Sequence, residues 1–189
     1  MFIETEDTPN PETLKFLPGR AVMGDAGTAD FGDAASTEGS SELAGALFAQ
    51  SDVRRVFLGN DFVSVTKQAD AEWHTLKPVL LGILTEFFES NRPVFVEGKI
   101  APAVDTAIPE EDSETVLRIR DLLDERVRPA VASDGGDIVF RGYRDGIVYL
   151  SMQGACSGCP SSRATLKHGV ENMLRHYVPE VVAVEQVED

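Results

Sequence analysis

A stretch without apolar periodicity interrupts the chain between two segments that each have the pattern of a folded unit. Residues 99–112 contain two prolines and the acidic run Glu110–Asp112, and most of the other residues are small or polar. This composition is typical of a linker. The 189 residues are therefore predicted to form two small two-layer α+β domains, at 1–98 and 113–189, joined by a flexible linker at 99–112.

Strand patterns dominate the first unit. Gly59–Asp61 has the composition of a tight turn, which predicts a hairpin between the strands Val53–Leu58 and Phe62–Lys67. Other short strands are expected at Phe2–Ile3, Thr13–Leu17 and Val94–Val96, with a surface loop at Gly24–Gly39.

Two helices are predicted in the same unit. Ser41 is the expected N-cap of a short amphipathic helix that carries Leu43 and Leu47 on one side. Apolar residues at helical spacing predict a longer helix over Leu76–Ser90, with Pro78 in its first turn. The unit contains no cysteine, so its expected role is partner docking or modulation of a site elsewhere.

The second unit has the predicted order α-β-β-α-β. A helical apolar stripe begins after Ser113 and is expected to end at Pro129, and a second helix is expected beyond Pro160. Three strands are predicted, at Asp137–Tyr143, Ile147–Met152 and Val181–Val187. The Asp-Gly pair at Asp145 predicts a tight hairpin between the first two.

Charge and hydropathy exclude two classes of partner. The chain has 32 acidic and 17 basic residues, a formal net charge of −15, and no basic stripe. Since such a surface repels the phosphate backbone, nucleic acid is not expected as a partner. The longest strongly apolar run, Pro78–Phe88, is too short to span a bilayer, so no membrane association is expected.

The chain's two cysteines are Cys156 and Cys159, in the run Gly154-Ala-Cys-Ser-Gly-Cys-Pro160. A single closely spaced pair is not the disulfide framework of a secreted protein, and a reducing cytoplasm fits it better. The pair lies in a loop between a predicted strand and a helix that Pro160 is suited to begin. Both sulfurs are therefore expected near a helix N-terminus, where the thiolate form is favoured.

Several types of site use this spacing of cysteines. Two buried thiols that pack as small apolar groups fit poorly with a loop of glycine, serine and proline. A thiol–disulfide oxidoreductase needs the motif inside a β-α-β unit with a parallel sheet, whereas a hairpin precedes it here. A zinc-binding interaction module needs two further ligands, and His168, about two turns from the helix start, is too far away to share one ion with both thiolates.

The number of thiolates favours a different metal site. A [4Fe–4S] cluster takes four cysteines, and one chain supplies Cys156 and Cys159 only. Two chains related by a two-fold axis supply four, so the predicted unit is a homodimer that shares one cluster. Such a cluster would lie at the protein surface between the subunits and exchange readily. No nucleophile and base stand at a recognised spacing, so no enzyme site is predicted.

Both units resemble a known family. Asp134-Gly-Gly-Asp137 together with Gly154–Ser161 is similar to the C-terminal domain of NifU-like proteins of the Nfu type. Thr8–Gly19 and Arg55–Lys67 resemble the Nfu N-terminal domain. The resemblance covers nearly the whole chain apart from the linker.

The resemblance implies a function and partners. It implies a [4Fe–4S] cluster bound across a dimer by Cys156 and Cys159 and delivered to apo Fe–S proteins late in cluster assembly. Upstream cluster scaffold proteins are the implied donors. Because the family's N-terminal domain begins at Met1 in this sequence, a bacterial cytoplasmic form is expected, with the mitochondrial matrix as the alternative for a trimmed mature form.

Overall fold

The computed structural model describes residues 2–96, 113–158 and 160–187. The predicted linker and Cys159 therefore lie outside the described residues. The chain divides into two compact units, Met1–Ala103 and Val104–Asp189, and each has its own apolar core. Helices and sheets are present in both, which confirms the α+β class.

One antiparallel sheet of five strands forms the first unit, in the order β1-β2-β5-β4-β3. Its strands are β1 (Glu4–Asp7), β2 (Thr13–Leu17), β3 (Ala29–Phe31), β4 (Val53–Leu58) and β5 (Val63–Lys67). The predictions for β2, β4 and the hairpin to β5 are confirmed. Phe16, Val56, Val65 and other buried side chains of these strands form the core together with two helices.

Both edge strands differ from their prediction. β1 lies at Glu4–Asp7 and not at Phe2–Ile3, because Glu6 stands opposite Lys15 of β2 and forms an ion pair of 3.2 Å with it. β3 lies inside the predicted loop Gly24–Gly39, where its Asp30 pairs with Arg55 of β4 at 2.7 Å. Both strands are specified by contacts with a neighbouring strand, which local sequence does not show.

Val94–Val96, predicted as a strand, joins no sheet. Its backbone is bound to the start of the first helix. Val96 N donates to Ser40 O at 2.9 Å, and Ser41 Oγ donates to Val94 O at 2.6 Å. Those bonds use the groups that a sheet ladder would need.

The first unit contains helices α1 (Glu42–Phe48) and α2 (Trp73–Glu89). Ser41 is the N-cap of α1, as predicted, and its Oγ accepts a hydrogen bond of 3.1 Å from Ala44 N. α2 begins three residues earlier than predicted, so Pro78 is inside the helix and not in its first turn. Pro78 has no N–H to donate to the carbonyl one turn earlier in the helix. Because Pro78 is exposed, that carbonyl can bind water instead.

The second unit has the predicted order α-β-β-α-β, but its first helical segment is longer than expected. It consists of α3 (Ser113–Leu122), a π-helical turn (Leu123–Val127) and α4 (Arg128–Ser133). The helix therefore continues past Pro129, which lies in the first turn of α4 where a proline is tolerated. The remaining elements are β6 (Gly136–Arg144), β7 (Ile147–Gly154), α5 (Pro160–Tyr177) and β8 (Ala183–Gln186).

The apolar spacing of this segment explains the π-helical turn. Its buried residues Ile119, Leu123, Val127 and Val131 recur every fourth position. In an α-helix of 3.6 residues per turn, such a stripe rotates by about 40° at each step. The wider π turn brings the later residues back toward the core. Arg128 follows directly after that turn.

The sheet of the second unit has the order β6-β7-β8. β6 and β7 are antiparallel and joined by the predicted tight turn, in which Asp145 and Gly146 have φ of 51° and 79°. β7 and β8 are parallel, so β7, α5 and β8 form a β-α-β unit. Among the described residues no helix is both long and apolar enough to cross a bilayer.

Candidate functional site

The loop that carries Cys156 connects β7 to α5. β7 ends at Gly154, whose φ of 65° and ψ of −136° are open to glycine and strained for other residues. A short 3-10 turn, Ala155–Ser157, follows, and Ser157 Oγ donates to Gly154 O at 2.8 Å. α5 begins at Pro160, as predicted. Cys156 therefore lies where a strand ends and just before a helix starts.

Cys156 is buried in the apolar core of the second unit, with 8% of its surface exposed. Burial raises the pKa of its thiol to about 12, and the negative charges of Asp134 and Asp137 add to the increase. The expectation of a favoured thiolate at this position is therefore wrong for the metal-free chain. Desolvation and two nearby carboxylates outweigh the helix N-terminus, since Cys156 precedes α5 by four residues.

The segment between α4 and β6 holds the Cys156 loop. Gly136 and Gly154 are paired across the β6–β7 ladder, and Ala155 N donates to Gly135 O at 3.2 Å. A Cβ atom at Gly136 would lie 2.5 Å from Gln153 O and 3.0 Å from Cys156 Sγ. Cys156 is thus packed against a residue that has no side chain.

An ion pair lies directly beside this contact. Arg128 of α4 donates from Nε and Nη2 to the two carboxylate oxygens of Asp137, at 2.9 and 2.8 Å. Asp137 is 3% exposed and also accepts 2.8 Å from Ile138 N. The hydrogen bond with Asp137 raises the pKa of Arg128 against the opposing effect of burial. Sequence reasoning missed Arg128, because only the fold brings α4 against the start of β6.

Within the described residues, no three His, Cys, Asp or Glu side chains are grouped as metal ligands. His74 lies in α2 of the first unit, and His168 and His176 lie in α5. Thiols are the donors that Fe–S clusters and other soft metal centres use, so Cys156 suits them. Cys159, the second predicted ligand, is outside the described part of the chain.

The topology corrects one argument against redox chemistry. A hairpin precedes the cysteines, as predicted, but β7, α5 and β8 also form a β-α-β unit with a parallel strand pair. Cys156 therefore stands just before a helix inside such a unit. Strand topology therefore does not exclude the oxidoreductase alternative. The burial of Cys156 and the raised pKa of its thiol are the observations that test it.

Models of two protein families match the chain, one in each unit. The model described as the N-terminal domain of the scaffold protein Nfu/NifU matches residues 3–91, and that of the NifU-like domain matches residues 119–185. Together they cover most of both units.

The curated relatives are similar over the whole chain. Proteins named "NFU1 iron-sulfur cluster scaffold homolog, mitochondrial" from Drosophila ananassae and Drosophila virilis are each 53% identical to it over 189 residues. All of this chain is covered in both comparisons, and the chain spans 65% and 62% of the two relatives' own length.

Two solved structures match part of the chain at lower similarity. The NMR structure of a NifU-like protein from Saccharomyces cerevisiae is 24% identical, with a TM-score of 0.46 over 51% of this chain and 86% of that one. A crystal structure from Staphylococcus aureus is also 24% identical, with a TM-score of 0.39 over 44% of this chain and 99% of that one.

The two domain matches stand in the order of the two folded units, and relatives that match all 189 residues have the same family name. The chain therefore belongs to the Nfu/NifU family.

Proposed function

We propose that the chain is an Fe–S cluster carrier, in which Cys156 and Cys159 of two copies bind one [4Fe–4S] cluster that is then delivered to apo Fe–S proteins. The position of Cys156, between the end of β7 and the start of α5, is the observation that carries the proposal. Two thiols in a chain fall short of the four that such a cluster takes, and a symmetric pair supplies them. The cluster is cargo, and the role is not catalytic.

The names of the relatives support a general role in handling Fe–S clusters. Proteins 53% identical to the chain are named iron-sulfur cluster scaffolds. The cluster type, its place between two chains and its delivery come from the thiolate count and the family resemblance. Donor scaffolds and apo acceptors are the partners that such a role requires.

The burial of Cys156 adds a step to the proposed mechanism. A thiol that is 8% exposed, with a pKa of about 12, has to become accessible and lose its proton before it binds iron. Coordination itself drives the loss of the proton, because metal binding stabilises the thiolate. Cluster loading is therefore coupled to a movement of the loop Ala155–Gly158, and cluster release lets the loop return.

The same properties of Cys156 disfavour a thiol–disulfide oxidoreductase. Disulfide exchange requires an accessible thiolate, and efficient oxidoreductases lower the pKa of the attacking cysteine. In the metal-free chain the pKa of Cys156 is raised. Insulin reduction measures this activity, and turnover at a rate comparable to that of a known oxidoreductase would favour the alternative.

Anaerobic reconstitution with iron and sulfide, followed by iron counting and Mössbauer spectroscopy, tests the proposal. We expect four irons for every two chains and the spectrum of a [4Fe–4S] centre. Cys156→Ala and Cys159→Ala should each abolish it, while Ser157→Ala, a control in the same loop, should keep it. A wild-type chain that binds no cluster, or that takes up stoichiometric zinc and then excludes iron, would contradict the proposal.

The cellular compartment is part of the same proposal. The relatives are named mitochondrial, which supports the matrix alternative and gives no support to the bacterial cytoplasmic location expected above. Both compartments keep thiols reduced, as free Cys156 requires. Fractionation of the source cells distinguishes the two, and recovery from a secreted fraction would contradict both.

A further inference from the structure

We propose that Gly136, held in place by the Arg128–Asp137 ion pair, positions Cys156 for cluster binding, so that Gly136, Arg128 and Asp137 are positioning residues of the site. This inference rests on the proposed function for its meaning. The contacts that carry it are present in the metal-free chain, where they are open to a test of their own.

Cys156 packs directly against the backbone of Gly136. The ladder pairs Gly136 with Gly154, two residues before Cys156, and Ala155 N donates to Gly135 O. A methyl group at Gly136 would lie 2.5 Å from Gln153 O and 3.3 Å from Cys156 N, both backbone atoms. Backbone atoms of a hydrogen-bonded strand cannot move one at a time. The added methyl group therefore displaces the whole loop, and the sulfur of Cys156 with it.

The ion pair fixes where Gly136 lies. Asp137 is the next residue, and its carboxylate is held by two bonds from Arg128 and one from Ile138 N. Arg128 belongs to α4, on the other side of the turn that leads into β6, and its Nη1 also donates to Asp124 Oδ1 at 3.1 Å. A planar guanidinium bound at both oxygens sets orientation as well as distance. Helix and strand are thereby joined next to the Cys156 contact.

The inference also accounts for the Asp134-Gly-Gly-Asp137 run. Gly136 leaves room for Cys156, and Asp137 receives Arg128. The negative charges of Asp134 and Asp137 both act on the thiol of Cys156. The run and the cysteine loop are therefore two halves of one site, although Gly154 comes 18 positions after Gly136 in the sequence.

The test measures the accessibility of Cys156 without a cluster. In a Cys159→Ser background Cys156 is the remaining thiol, and its alkylation by iodoacetamide at fixed pH reports how firmly it is held. We expect Gly136→Ala to speed alkylation by about tenfold, because it opens the loop locally. Gly169→Ala, a matched control in α5 with nothing within 4 Å of the added methyl, should leave the rate unchanged.

The ion pair is tested by Arg128→Met and Arg128→Lys. The methionine variant should show the larger increase in alkylation, and lysine, which keeps the charge without the two parallel bonds, an intermediate one. Arg144→Met, at the far end of β6 and 58% exposed at the side chain, is the surface control. Val184→Ala, a core truncation in β8, shows how much general destabilisation contributes.

A second measurement uses the chain with both cysteines, loaded with its cluster. It follows the rate at which a chelator removes iron. Gly136→Ala and Arg128→Met should release iron faster than wild type, and Gly169→Ala and Val184→Ala should not. Equal alkylation rates in Gly136→Ala and Gly169→Ala would overturn the inference. If Gly136→Ala does not fold, an Arg128→Met rate no higher than that of Val184→Ala would overturn it. A wild type that binds no cluster contradicts the proposed function alone, since the alkylation arm is independent of it.

Discussion

At the scale of single residues, Cys156 differs from an ordinary cysteine in its burial and its charges. It is 8% exposed, and desolvation together with Asp134 and Asp137 raises its pKa from 9.0 to about 12. A thiol in this state reacts slowly with oxidants and alkylating reagents. Burial and the two carboxylates therefore protect this thiol from such reagents.

The raised pKa gives the first prediction. In the metal-free Cys159→Ser variant, the alkylation rate of Cys156 should keep rising with pH above 9, where the rate of an unperturbed cysteine levels off. Between pH 9 and 12 the folded state holds a proton that the unfolded chain has released, so the free energy of unfolding should fall as the pH rises through this window. A rate that levels off near pH 9 would show an ordinary thiol.

Ser41 gives a second prediction at this scale. Its Oγ accepts from Ala44 N at the start of α1 and donates to Val94 O. Ser41→Ala removes both bonds and should lower the free energy of unfolding by about 1–2 kcal/mol. Denaturant unfolding measures it, with exposed Ser51→Ala as the control. Equal stabilities of the two variants would show that the cap contributes nothing.

Residues whose role is set by their chain neighbours could be predicted from the sequence. Ser41 as an N-cap and Pro160 at the start of α5 follow from helix-end chemistry, and the structure confirms both. The burial of Cys156 could not be predicted, since it depends on Gly136, which only the β6–β7 pairing brings to it.

At the scale of elements, those specified by local sequence were predicted, and those specified by contacts with other elements were not. Strands β2 and β4 carry their own apolar signal, so their predictions agree with the structure. β1 and β3 are specified by cross-strand ion pairs, Glu6 with Lys15 and Asp30 with Arg55. The predicted end of the first helix of the second unit was wrong because Pro129 fits the first turn of α4 after the π-helical turn.

Replacing two glycines of the first unit by alanine should change its stability in opposite directions. Gly82 lies inside α2 with nothing within 4 Å of an added Cβ, so Gly82→Ala should stabilise the unit by about 0.5–1 kcal/mol through helix propensity. At buried Gly59 the same methyl would collide with the ring of Phe62, so Gly59→Ala should destabilise it. Thermal unfolding measures both. A lower melting temperature for Gly82→Ala would contradict the role of propensity.

At the scale of the whole molecule, the chain consists of two separately packed units. Each has its own core, and the described cysteine lies in the second. The first unit has no thiol to contribute, so its proposed role is docking of partners.

The separate cores predict that residues 113–189 fold alone. This fragment should unfold in one cooperative transition, and Cys156 should be alkylated at the full-length rate in the Cys159→Ser background, because its contact with Gly136 lies within the fragment. Circular dichroism and the alkylation rate measure both. A fragment without a cooperative transition would show that the second unit depends on the first.

The docking role makes a prediction for cluster transfer. If the first unit binds acceptors, the loaded fragment 113–189 should transfer its cluster more slowly than the full chain to at least one apo [4Fe–4S] protein, while its chelator-driven release is unchanged. Transfer rates to several acceptors, compared at equal cluster concentration, measure this. Equal rates for every acceptor would remove the docking role.

The central claim is that two chains share one cluster, and native mass spectrometry under anaerobic conditions tests it most directly. The account predicts that the loaded species has the mass of two chains of 20.5 kDa with four irons and four sulfides, and that removal of iron returns it to single chains. A cluster retained by one chain, or a dimer that carries no iron and sulfide after reconstitution, would contradict it.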